Sequence, residues 1–201
     1  MSSAPADGRT QEQRRAETER RVLDAATRLI AQRGSGAVTL AEVGREAGYS
    51  RGIVHAAFGS RDELLGAVVR DAQRFAVPPV EAAGLAQLTA VVRAYLGNVR
   101  ERQPSTGAFL LLWAESVAGE PVLAPLFAER DASFRAALAD LVRAGVADGS
   151  VRSDADADAL AAALLGLLRG IGMQVVAPAG VTADDAFVQQ VVDLLARGLA
   201  G

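Results

Sequence analysis

The chain has 201 residues, of which 50% are hydrophobic, 22% charged and 4% aromatic, with a formal net charge of −3. Such a composition describes one large or two small globular domains and excludes a disordered chain. With no cysteine and one histidine, it also excludes disulfide frameworks, thiolate zinc sites, cysteine nucleophiles and multi-histidine metal centres, and it fits a reducing compartment.

Residues 1–10 are small and polar and lack the apolar core of a secretory signal, so a cytoplasmic location is expected. Residues 1–16 read as a flexible polar arm. Val22, Ala25, Ala26, Leu29 and Ile30 then fall on one helical face, which Gly34 ends. Thr39 followed by Glu42 is a capping box and opens a short helix that buries Leu40, Val43 and Ala47 and stops at Gly48. Ser50 caps a second short helix through Arg51, Val54 and Phe58, and a further box, Ser60 with Glu63, opens a helix carrying Leu64, Leu65, Val68 and Val69.

Pro78-Pro79 denies backbone donors and marks a boundary, giving a three-helix head over 17–76 and a second domain over 77–201. Further helices are expected at 82–100, 104–118, 121–148, 154–176 and 182–199. Alternating β-branched runs are missing, so the fold is expected to be all-α with about nine helices. The apolar stretch 159–183 is interrupted by Arg169, Pro178 and four glycines, and reads as a buried helix rather than a membrane span.

Every basic residue is arginine; residues 1–70 carry 11 of them against 9 acids, the remainder 10 against 15. The front third is therefore mildly basic and the rest acidic, which argues against coating nucleic acid by bulk charge. The two short helices around Gly48-Tyr49-Ser50 match helix-turn-helix geometry, in which the second helix enters the major groove.

No convergent catalytic set, phosphate loop or dinucleotide fingerprint is present, and neither enzymatic activity, a metal nor a cofactor is expected. Asp154, Asp156 and Asp158 have the opening rhythm of a calcium loop but lack its glycine and glutamate; they favour the start of the following helix instead.

Over roughly 17–70, the segments Val22-Leu23-Asp24-Ala25-Ala26, Ala47-Gly48-Tyr49-Ser50-Arg51-Gly52 and Ser60-Arg61-Asp62-Glu63-Leu64-Leu65, with Thr39 and Phe58 between them, resemble the amino-terminal domain of TetR-family regulators. The resemblance implies a homodimeric repressor that binds a palindromic double-stranded operator and releases it when a small, mostly apolar effector occupies the carboxy-terminal domain. It assigns Thr39, Tyr49, Ser50, Arg51, Gly52, His55 and Arg61 to the DNA contact. Physically, a hydroxyl and free amides at a helix start suit phosphate, and Arg51 reaches phosphate or guanine. Arg61 stands where the family usually has lysine.

His55 replaces the family's usual tyrosine and Ala57 its histidine or tyrosine. His55 is therefore expected to meet phosphate in its protonated form, a charge state that histidine gains and loses between about pH 5 and 8. The same two departures support an alternative, a helical small-molecule-binding or protein-interaction module that has lost DNA binding.

In the family the last two helices form a four-helix dimer interface, which assigns Leu160, Leu164, Leu167, Leu168, Ile171, Val188, Val191, Val192 and Leu195 to it. The same stripes also suit the monomer's own core. Tyr95, Phe109, Leu110, Trp113, Phe127, Phe134 and Met173 are the pocket candidates, with Glu115 or Arg135 as a charged anchor.

Overall fold

A computed structural model describes residues 10–36, 38–72, 84–101 and 104–201. Among these, nine helices follow one another: α1 (Gln11–Arg33), α2 (Leu40–Ala47), α3 (Arg51–Phe58), α4 (Arg61–Asp71), α5 (Leu85–Arg100), α6 (Pro104–Val117), α7 (Leu123–Asp148), α8 (Ala157–Val176) and α9 (Asp185–Leu199). Thr10, Thr39, Ser50, Ser60, Asp156 and Asp184 each accept a hydrogen bond from an amide of the helix they precede, satisfying donors that a helix start leaves open. Asp156 does so for α8, so the acidic run after Val151 caps a helix.

The segment expected to be a flexible arm is helical from Gln11 onward. Thr10 and Gln13 form a reciprocal capping box, and Arg15 pairs with Glu19 at 2.8 Å, one turn on. Caps and i,i+4 pairs support a helix even where no apolar face exists. The boundary expected at Pro78-Pro79 lies outside the described residues.

The largest apolar cluster ignores any division between head and rear domain. Val22, Ile30, Val43, Val54, Leu64 and Leu65 pack in one body with Ala108, Phe109, Leu110, Leu112 and Phe127 of α6 and α7. Each such leucine or isoleucine, fully buried, contributes about 1.5–3 kcal/mol, so the head is joined to the rest by a core and not by scattered surface pairs. Two further clusters fill the rear: one joins α5, α7 and α8 with Val151 and Leu199, the other α5, α8 and α9.

α8 is long and apolar enough to cross a bilayer, yet it packs on α5, α6 and α7 and carries the buried, ion-paired Arg169. Gly172 lets α8 approach closely, because a Cβ there would stand 3.1 Å from the Tyr95 hydroxyl and 3.2 Å from Leu110.

Candidate nucleic-acid interface and ligand pocket

The turn between α2 and α3 is set by backbone chemistry. Gly48 ends α2 in the left-handed region at φ 77°, and the Tyr49 amide donates to the Gly44 carbonyl at 2.7 Å. Ser50 then caps α3 by accepting from the Ile53 amide. Val54 is fully buried, which turns Arg51, Gly52, Ile53, His55 and Ala56 to solvent.

A groove of about 620 Å³ runs beside α3, and Thr39, Arg51, His55, Ser60 and Arg61 line it. Four of the residues assigned to the DNA contact are thus brought to one concave strip, and Ser50 and Gly52 adjoin it on α3. Its chemistry is two guanidiniums, an imidazole and two hydroxyls, suited to phosphate oxygens. The Ser60 amide and hydroxyl hold the Glu63 carboxyl below the usual range, and His55 acts in the same direction.

Two of the assigned residues have other engagements. Tyr49 is half-buried against the core with the Arg21 guanidinium 5.1 Å over its ring, away from the groove lining. Arg61 donates to the Ser35 carbonyl at 2.7 Å and the Val38 carbonyl at 3.0 Å, bracing the loop between α1 and α2. Ile53, 43% exposed, was not singled out from the sequence; its apolar side chain on an outward face suits a thymine methyl. An exposed isoleucine between Gly52 and Val54 carries no such mark in the sequence, since helical periodicity does not say which apolar residue stays outside.

The expected pocket residues separate. Tyr95, Phe109 and Leu110 line a small enclosed cavity of about 20 Å³ together with Asn98, Thr106, Arg130 and Arg169. Phe134 belongs instead to an open groove of about 610 Å³ between α4 and α7. Phe127 is core, 5.2 Å from Phe109 between ring centroids, and Trp113 and Met173 pack half-buried on the same cluster.

Neither Glu115 nor Arg135 lines the small cavity. Glu115 accepts from the Ser35 amide at 2.9 Å, tying α6 to the head, and Arg135 is exposed. The charged residues that line this cavity are Arg130 and Arg169, and Asp131 pairs with Arg169. Asp131 accepts from Arg169 and from the Trp113 indole, each at 3.0 Å.

The stripe assigned to a dimer interface is largely interior. Leu164, Leu168, Ile171, Val188 and Val192 are buried within the two rear clusters, because α5 and α7 already cover that face of α8 and α5 covers that face of α9. Leu160, Leu167, Val191 and Leu195 are half-buried. The outer face of α8 presents Ala162, Ala163, Gly166 and Gly170 instead, and on α9 Leu194 is 68% exposed.

The family model for bacterial regulatory proteins of the tetR family matches residues 22–68, and the model for the carboxy-terminal part of BetI-type transcriptional repressors matches residues 84–200. HTH-type transcriptional regulator BetI of Brucella anthropi is 47% identical over 51 residues, which are 25% of this chain and 26% of that protein. Its namesake in Rhizobium meliloti is 45% identical over 49 residues, 24% of each chain. The chain thus matches about a quarter of the length of these curated relatives.

Among solved structures, a transcriptional regulator from Saccharomonospora viridis in complex with choline is 26% identical with a TM-score of 0.75, covering 92% of this chain and 99% of that one. Salmonella enterica GusR, 21% identical at a TM-score of 0.75 over 94% and 97%, shares the fold.

Proposed function

Because the chain belongs to the TetR family of bacterial regulatory proteins, with a carboxy-terminal domain of the BetI type, we propose that it is a cytoplasmic, sequence-specific DNA-binding repressor that a small molecule releases from its operator. The observation that carries this reading is the groove beside α3, where Thr39, Arg51, His55, Ser60 and Arg61 meet. Arg51 and Ile53 stand on the outer face of α3 and would read base edges, while Thr39, Ser60 and His55 would hold phosphate. The complex of the Saccharomonospora viridis neighbour with choline supports a small-molecule signal.

Signal and head are joined by a short relay. Glu115 of α6 accepts from the Ser35 amide, and the Ser35 carbonyl accepts from Arg61 at the start of α4. α6 also carries Thr106, Phe109 and Leu110 of the cavity. A ligand that favours a shifted α6 therefore shifts the base of the DNA-binding helices, and its leverage equals its preference for that arrangement.

Selection of bound duplexes from a random pool, at two salt concentrations, tests the function. A palindrome with half-sites about one helical turn apart is expected. Arg51→Ala should then lose about 1–3 kcal/mol of operator binding or, if Arg51 meets only phosphate, flatten the salt dependence by about one ion. A folded protein that enriches no sequence at low salt would favour the alternative module without DNA binding, a reading to which the inward commitment of Arg61 also lends support.

A palindrome requires a two-fold dimer. Its interface would lie on the outer faces of α8 and α9, where Ala162, Ala163, Gly166 and Gly170 leave room for close helix approach beside Leu194. Leu194→Glu would set like charges near the two-fold axis, so it should sediment as a monomer and lose the operator. Val191 and Leu195, half-buried beside it, extend the same surface.

A further inference from the structure

The cluster around Phe109 holds more positive charge than the neighbouring acids offset. Arg169 of α8 is 2% exposed and pairs with Asp131 at 3.0 Å. The other oxygen of Asp131 is engaged by the Trp113 indole. Arg130 brings a second guanidinium, and its carbon and that of Arg169 lie 4.7 and 4.6 Å from the Phe109 centroid. Among the described residues, the buried Nε atoms of both arginines have no hydrogen-bond partner. A buried donor without an acceptor is costly, more so when charged.

Both arginines line the small cavity, where Asn98, Thr106 and Tyr95 supply further polar groups. Burial holds the Tyr95 phenol above its ordinary value, so it remains a protonated donor at neutral pH. Burial also pushes Arg130 down to about 10, with Arg169 acting in the same direction, and this still leaves Arg130 charged at neutral pH. Arg130 lines the larger groove between α4 and α7 as well, beside the apolar walls of Val69, Leu126, Phe134 and Ala137. Exposed Arg70 and Glu129 add one charge of each sign to that groove and cancel.

We propose that the effector is an amphipathic anion: its carboxylate is received by Arg130 and Arg169, and its apolar body lies in the groove between α4 and α7. This rests on the ligand-responsive reading above. A guanidinium binds a carboxylate through charge-assisted bonds, and doing so supplies the acceptor that the two Nε donors lack. A cationic effector would meet two guanidiniums already over the Phe109 ring and one, at 5.7 Å, over Trp113. The cavity of about 20 Å³ has room for about one water and is too small for a carboxylate, so the head group must move Arg130 aside, and through the groove it bears on α4.

Three probes that share one eight-carbon chain separate the head groups: octanoate, octan-1-ol and octyltrimethylammonium, each added to the full chain at matched ionic strength. Trp113 is the one tryptophan and bonds to the carboxylate that holds Arg169, so its emission reports locally. Octanoate is expected to change that emission, to raise the unfolding midpoint, and to bind at least about tenfold more tightly than either other probe. Arg130→Met should remove this advantage and raise the midpoint of the unliganded protein; Arg130→Gln serves the same purpose should methionine fail to fold.

Tighter binding of the ammonium probe, no response to octanoate, or a response unchanged in both variants would overturn the proposal. Operator selection is a separate readout. An operator found without an octanoate response removes the anion site alone, whereas an octanoate response without an operator removes the regulator and leaves the site.

Discussion

Gly44→Val is expected to abolish selective DNA binding while leaving the rear helices intact. A Cβ on Gly44 would stand 2.8 Å from the Tyr49 carbonyl oxygen and 3.2 and 3.3 Å from the carbonyl carbon and oxygen of Ser50. All three are backbone atoms of the turn itself, so no side chain can swing aside to relieve the overlap. The turn must open, and with it go the hydrogen bond from Tyr49 to Gly44 and the Ser50 cap that aims α3. Overpacking of this kind costs about 1–3 kcal/mol of stability. Binding suffers more, because Arg51 and Ile53, proposed above to read base edges, would move together; at about 1–3 kcal/mol for each good contact the loss is on the order of 100-fold or greater. Gly36→Val is the control, since a Cβ there meets nothing within 4 Å. Anisotropy with the selected duplex, beside far-ultraviolet circular dichroism, reads both outcomes.

Asp131→Ala should be the most damaging single change to the rear domain. It strands Arg169 in the interior with Arg130 beside it and removes the acceptor of the Trp113 indole. Breaking a buried pair from one side costs about 3–5 kcal/mol, because the remaining charge is left uncompensated. Urea unfolding followed by Trp113 emission should show a lowered midpoint together with a red-shifted native spectrum. Arg143→Ala, which removes the exposed pairs with Asp140 and Asp158, should leave that midpoint nearly unchanged. A comparable fall in both variants would mean that surface charge, not the buried pair, holds this part of the molecule.

The two changes also divide what a sequence makes legible from what it hides. The helix-turn-helix is written locally: Thr39 with Glu42, Gly48 and Ser50 act within a few residues of themselves, so their spacing carries the turn. The start of α1 is equally local, with Thr10 three residues before Gln13, yet the charged run that follows offers no apolar periodicity, and a reading led by hydrophobic faces passes it over.

The stripes of α8 and α9 show the other limit. Periodicity says that Leu164 and Leu168 face something apolar, and it says nothing of whether that something is α5 or a second copy. Arg169 was legible only as an interruption of an apolar run; its meaning depends on Asp131, 38 residues earlier on another helix. Glu115 was the right kind of residue in the right helix, but its partner is the Ser35 amide, 80 residues away. Separations of that size are fixed by packing, which no local pattern encodes.

The cluster that runs from Ile30 and Leu65 into Phe109 and Leu112 bears on how such proteins are recombined. A hybrid that joins this head to a foreign sensor would be cut through an interior, and the transplanted surface of α1 and α4 would face side chains of another shape. Exchange of recognition is therefore better confined to the outward residues of α2, α3 and the turn between them, among which Arg51, Gly52, Ile53, His55 and Ala56 face solvent. Grafts placed there would keep the native sensor's grip on the head, so that a new operator would still answer to the old signal.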